Sequence, residues 1–152
     1  MHLSVIRVPY KVYPVTGSRP HGPDGTPLAW VPLLNVAVLY KHARSKRLEA
    51  DVDSGAPVCL FHGSIGKALG MRVEDGIEGP LGGVIGGVRK KVYYHDVRIE
   101  LLGQMLALRA GFSDDLSVAA ILGRSGFFDS FTITFDPCNN PLRLALERFY
   151  RT

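Results

Sequence analysis

The sequence predicts an all-β chain, a closed antiparallel barrel with one short helix. Three observations carry that expectation. Apolar and β-branched residues recur in short runs of period two, most cleanly in Phe131-Thr132-Ile133-Thr134-Phe135. Seventeen glycines and ten prolines punctuate those runs with turns. Only one short segment carries helical spacing, so no helix is long enough to build a second layer.

Taken in order, Val5 to Val15 alternates loosely and reads as a strand or an N-terminal arm. Thr16 to Pro27 is a loop, because Gly17, Pro20, Gly22, Pro23, Gly25 and Pro27 fall too densely for regular structure. The expected division is therefore an arm and loop over 1–27 and a barrel domain over 28–152. Val31 to Tyr40 reads as a strand with a tolerated proline, Pro32, near its start. Lys41 to Arg47 is a charged hairpin connection, and Leu48 to Asp53 returns as the next strand. Gly63 to Met71 is the short helix, with Ile65, Ala68 and Leu69 on one face and Gly70 as its C-cap. Val73 to Pro80 reads as irregular. Lys90 to Leu102 reads as a strand with a bulge near His95-Asp96. Gly103-Gln104 is a turn, and Met105 to Ala110 is the following strand. Leu116 to Leu122 reads as a buried strand and Ser125 to Phe128 as a helical turn. Leu142 to Phe149 is a closing segment whose alternating leucines favour a strand over a helix.

Composition bounds the function. A chain of 152 residues, 46% hydrophobic and 21% charged, suits one domain with its own core. The net charge of +4 is mild. The basic run from Lys41 to Arg47 has no interleaved aromatics, so a solvated turn explains it better than a nucleic-acid surface. Two cysteines make no disulfide framework, and Cys59 reads as a buried small hydrophobe. His42, His62 and His95 have no ligand spacing with the cysteines, so no metal and no cofactor is expected. No stretch reaches the ~20 apolar residues that span a bilayer. With no secretory pattern at the start, the expected address is cytoplasmic.

The chemistry centres on Asp53-Ser54-Gly55-Ala56, a tight turn between two apolar runs. Downstream lie the glycine-rich Gly82-Gly83-Val84-Ile85-Gly86-Gly87 and then Ile121-Leu122-Gly123-Arg124. Alternatives at these motifs fail on spacing. Gly63-Ser64-Ile65-Gly66-Lys67 is too short for a phosphate loop, and the glycine-rich segment is followed by a strand rather than a dinucleotide-binding helix. Gly123-Arg124-Ser125-Gly126-Phe127 lacks the glycine that a serine-hydrolase elbow requires.

In that order, and over roughly Val31 to Pro137, the three motifs resemble those of the retropepsin-like aspartic proteases, single-lobed enzymes that work as homodimers. The resemblance implies an acid-protease barrel. It makes Asp53 the catalytic aspartate and Ser54, Gly55 and Ala56 the rest of its turn. Gly82 to Gly87 would be a flap with Val84 and Ile85 at its tip, and Ile121, Leu122, Gly123 and Arg124 would support the site from behind. A single carboxylate cannot supply both acid and base, whereas two close carboxylates share one proton. With one such turn per chain, the partner must be a second copy, docked through the active site. The substrate would be a peptide or unfolded protein in an extended, largely apolar stretch.

The sequence departs from the family at three places. Pro57 stands where an acidic residue braces the arginine, and Ser125 stands where Asn or Asp is usual. Asp51 occupies a position that is usually apolar and lines the substrate groove. Residues two apart on a strand share a face, so Asp51 is expected either to favour a basic substrate side chain or to raise the pKa of the dyad. Two rival readings keep the fold. One is a catalytically inactive dimerisation or peptide-binding module, recognised by binding without cleavage. The other is an autoprocessing domain of a larger protein, recognised by trimming near the 16–27 loop that stops in Asp53→Asn.

Overall fold

The alternating runs form strands, and most of them close into a barrel. The computed structural model describes residues 5–17, 27–81, 90–137 and 143–148. In chain order the strands are β1 (Val5–Pro9), β2 (Lys11–Pro14), β3 (Leu28–Val31), β4 (Leu33–Tyr40), β5 (Ala43–Arg44), β6 (Leu48–Val52) and β7 (Leu60–His62). After α1 (Gly63–Ala68) come β8 (Ile77–Leu81), β9 (Lys90–Leu101), β10 (Gln104–Ser113), β11 (Ala120–Leu122), β12 (Phe131–Asp136) and β13 (Arg143–Arg148). Short 3₁₀ turns occupy Val73–Asp75 and Phe128–Ser130.

The ring runs β4-β6-β11-β7-β10-β9 and closes where β9 pairs with β4. Val38 opposite Ile99 marks that seam. The ring is antiparallel except at two places, where β6 pairs with β11 and β7 with β10 in parallel. Closure leaves no free edge in the ring. It is filled by Leu34, Val36, Val38, Ile99, Leu101 and Leu122, each at most 1% exposed, and by the stacked rings of Phe61 and Phe112. Each such side chain contributes roughly 1.5–3 kcal/mol by leaving water.

A second sheet, in the order β1-β13-β12, joins the two ends of the chain. Phe131 of β12 is buried in the core, and Ile6, Val8 and Ile133 pack against it. The Tyr10 hydroxyl accepts a hydrogen bond from the Asp136 amide at 3.1 Å, and burial raises its pKa. β2 and β3 form a separate pair. Glu49 of β6 ties that pair to the barrel, accepting hydrogen bonds from Lys11 Nζ and from the Tyr13 hydroxyl. The expected division after residue 27 therefore falls between two strands that are paired with each other.

Several elements differ from their sequence readings, each for a physical reason. Pro32 splits the expected Val31–Tyr40 strand into β3 and β4, because it has no amide hydrogen. Its carbonyl accepts from the Val52 amide at 2.9 Å. Residues 77–80, read as irregular, form β8 together with Leu81. Gly79 and Pro80 look like loop residues, but β8 is the outermost strand of its sheet, where a proline is tolerated. No bulge interrupts β9, whose register with β10 is continuous from Leu101–Gln104 to Tyr93–Phe112. The apolar phase shifts because Val92 is buried on the face of β9 opposite to Val97 and Ile99, and not because of an extra residue. Of the expected Leu116–Leu122 strand only β11 forms, and Val118 is exposed.

The buried face of α1 also differs. Gly63, Gly66 and Leu69 face inward, while Ala68 is exposed. A Cβ on Gly66 would stand 3.0 Å from Met71 Sδ and from Val73 and 3.1 Å from Phe112. The helix lies so close to the core that its inward face is built from glycine. Gly70, just past it, has the positive φ of 78° expected of a capping glycine.

Candidate active site

The site arises from a crossing of chains. β6 and β11 run parallel, with Asp51 opposite Ile121 and Val52 opposite Leu122, so both leave the sheet at the same end. The ladder gains one more rung, Asp53 N–H to the Leu122 carbonyl at 3.0 Å. β7, the next strand in sequence, lies on the far side of β11. The chain after Val52 must therefore pass over the end of β11 to reach it.

Two hydrogen bonds hold that passage, from Arg124 N–H to the Ala56 carbonyl at 2.9 Å and from Ser125 N–H to the Pro57 carbonyl at 3.0 Å. Gly123 sits beneath it. A Cβ there would be 2.8 Å from the Ala56 oxygen and would collide with the Val58 carbonyl. Only glycine lets the two backbones approach this closely.

The passage presents the turn. Asp53 is half-buried, Ser54 and Gly55 are exposed, and Ala56 is buried at 8% exposure. One Asp53 carboxylate oxygen accepts the Gly55 N–H at 2.8 Å, and the Asp53 carbonyl accepts the Ala56 N–H at 3.2 Å. Arg124 Nη1 donates to the Ser54 carbonyl at 3.0 Å and to the Gly55 carbonyl at 3.4 Å. With Pro57 in place of an acidic partner, the guanidinium braces the turn through its backbone. Bonds from a charged donor are stronger than neutral ones.

Ile121, Leu122, Gly123 and Arg124 thus all lie directly against or beside the turn. Leu122 is fully buried behind it, and Ile121 is half-exposed beside Asp51. Cys59 follows the turn with its thiol buried against the Gly123 and Ser125 carbonyls. Burial pushes its pKa up to about 11, which suits a packing residue and not a nucleophile. The flap residues Gly82, Gly83, Val84, Ile85, Gly86 and Gly87 lie outside the described residues. The strands on either side, β8 and β9, pair up to Leu81 opposite Lys90.

Asp51 is half-exposed. Burial first, and the Asp53 carboxylate second, raise its pKa above the ordinary carboxylate value. Among the described residues no cation lies within ion-pair distance of it. The folded chain therefore binds the Asp51 proton more tightly than the unfolded chain does. Stability is highest below the unfolded pKa and falls as pH rises through the raised folded one. Asp51→Asn removes this cost. Thermal melts should show the variant melting above wild type at pH 7, with the gap closing toward pH 3.5. A gap that widens on acidification would contradict this electrostatic account.

Among the described residues no group of three His, Cys, Asp or Glu side chains could hold a metal, and no helix is long and apolar enough to cross a membrane. Among the described residues, cavities also lie away from the Asp53 turn. One, of about 430 Å³, is lined by residues including Lys41, Asp96, Arg98 and Arg109, with none from the Asp53 turn. Another is lined by residues including His62, Ser64 and Val118. Sequence reasoning missed Leu33, which lies directly opposite Asp51 across the β4–β6 pair. Only the register of that pair reveals it.

No family model matches the chain, and no curated protein matches it. Among solved structures it is similar to the EIAV protease complexed with the inhibitor HBY-793. The two are 24% identical, the match covers 62% of this chain and 82% of that one, and the TM-score is 0.44. A likeness that slight does not bear on function.

Proposed function

We propose that the protein is an aspartic endopeptidase that acts as a homodimer, with Asp53 of each copy forming the catalytic pair. The observation that carries this reading is the Asp53 turn. One carboxylate per chain is fixed by the Gly55 amide, at a turn whose exposed residues are Ser54 and Gly55. The Arg124 brace and the Gly123 crossing hold that turn from behind. The motif order that resembles retropepsin-like proteases supports it.

In this reading two Asp53 carboxyl groups share one proton. The ionised one takes a proton from a water as its oxygen adds to the peptide carbonyl carbon. The protonated one gives its proton to the carbonyl oxygen. The tetrahedral diol then collapses: one hydroxyl gives its proton to the ionised carboxylate as the C=O bond re-forms, the C–N bond breaks, and the nitrogen leaves with the proton of the other carboxyl group. The substrate is an extended, largely apolar stretch of peptide or unfolded protein.

The test is cleavage of an unfolded protein from pH 3 to pH 7 by wild type and by Asp53→Asn. Acid-favoured cleavage that disappears in the variant supports the reading. A folded dimer that binds peptide without cleaving it at any pH points instead to a binding module.

A further inference from the structure

We propose that Asp51 selects substrates carrying a lysine or arginine beside the scissile bond. This inference rests on the proposed peptidase reading and deepens it. In β6 the buried side chains are Ala50 and Val52, so Asp51 points out of the barrel wall. Asp53 follows two residues on, just past the end of β6, where its N–H continues the ladder to the Leu122 carbonyl and its carboxylate acts on that of Asp51. Its cross-strand neighbours are Leu33 on one side and Ile121 on the other, and both are half-exposed. Directly paired residues present their side chains to the same face. The wall beside Asp53 is therefore an apolar shelf, Leu33-Asp51-Ile121, interrupted at its centre by one carboxylate.

That carboxylate has no cation against it among the described residues. The charge with a resolved influence on it is another carboxylate, Asp53. A partly desolvated charge beside a like charge is stabilised by any cation that reaches it. The shelf specifies the rest of the ligand. Lysine and arginine carry an aliphatic stem that lies along apolar surface and a cationic head that stays polar. The stem fits over Leu33 and Ile121, and the head fits on Asp51. A short polar side chain would leave the shelf uncovered, and a purely apolar one would further desolvate Asp51 without a partner.

The test compares two otherwise identical apolar heptapeptides, one with lysine and one with norleucine at the residue beside the cleaved bond. For wild type we expect the ratio of kcat/KM, lysine over norleucine, to be about fivefold, the upper end of the scale for one partly exposed ion pair. In Asp51→Asn the ratio falls to about one. In Asp51→Glu, which keeps the charge, it stays above one. A wild type that cleaves both peptides equally overturns the inference, as does a lysine preference that survives in Asp51→Asn.

Binding of the same two peptides to Asp53→Asn, read by calorimetry, separates this inference from the peptidase reading. Tighter binding of the lysine peptide with no cleavage by wild type keeps Asp51 as the selector and removes the peptidase reading. Equal binding of the two peptides, together with equal kcat/KM or with no cleavage, removes the selector.

Discussion

Replacing Gly123 with alanine will destabilise the protein by at least about 3 kcal/mol, the upper part of the range for overpacking. The added methyl meets the carbonyl of Ala56, which already accepts the Arg124 N–H, and the carbonyl of Val58, and both are backbone atoms. They have no rotamer to escape into, unlike a side-chain neighbour. In a chain of this size the melting temperature should fall by roughly 10 °C. Gly70→Ala is the control. Gly70 also has a positive φ, but a Cβ there meets nothing within 4 Å. Its cost should be limited to backbone strain, about 1 kcal/mol. Thermal melts of both variants decide the matter. Equal losses would mean that the crossing is looser than its hydrogen bonds indicate. The same crossing carries the Asp53 turn, so Gly123→Ala should also lose activity at temperatures where it remains folded.

Asp53→Asn should reduce peptide cleavage by at least about 10³-fold, within the range that acid–base groups contribute. Asparagine keeps the size of the side chain and an oxygen that can accept the Gly55 amide, so the turn should hold its shape. It cannot carry the shared proton. Folding and melting temperature should therefore change little while turnover disappears. A variant that loses stability and activity together would show a structural role for Asp53. A variant that keeps its activity would place the chemistry elsewhere.

Much of this was legible before any coordinates. Period two and turn residues located β4, β6, β9 and β10 of the ring, and the two-residue spacing put Asp51 in the strand that leads into the Asp53 turn. The failures share a cause, which is that local pattern does not report what covers a segment. β8 carries Gly79 and Pro80 and reads as loop, yet an edge strand tolerates both. Leu116 to Ala119 precedes β11 without extending it, although the run reads as apolar core. The inward face of α1 is set by the absence of side chains at Gly63 and Gly66, which a search for apolar spacing does not see. The two parallel pairings leave no local trace either, because parallel and antiparallel strands alternate alike. They are nevertheless what brings Asp53 over Gly123. Pro57 signalled that Arg124 lacked an acidic partner. That its partners are the carbonyls of Ser54 and Gly55 follows only from the folded turn.

The central claim is that one active site needs Asp53 from two copies of the chain. The most direct measurement holds wild-type protein at constant concentration, mixes in Asp53→Asn, and follows cleavage after subunit exchange. With random pairing, an equal amount of variant leaves half of the wild-type chains in fully wild-type dimers. If a mixed pair is inactive, activity falls to about half, and it keeps falling as more variant is added. Activity that stays constant at every ratio would mean that each chain works alone, and the paired-carboxylate account would be wrong.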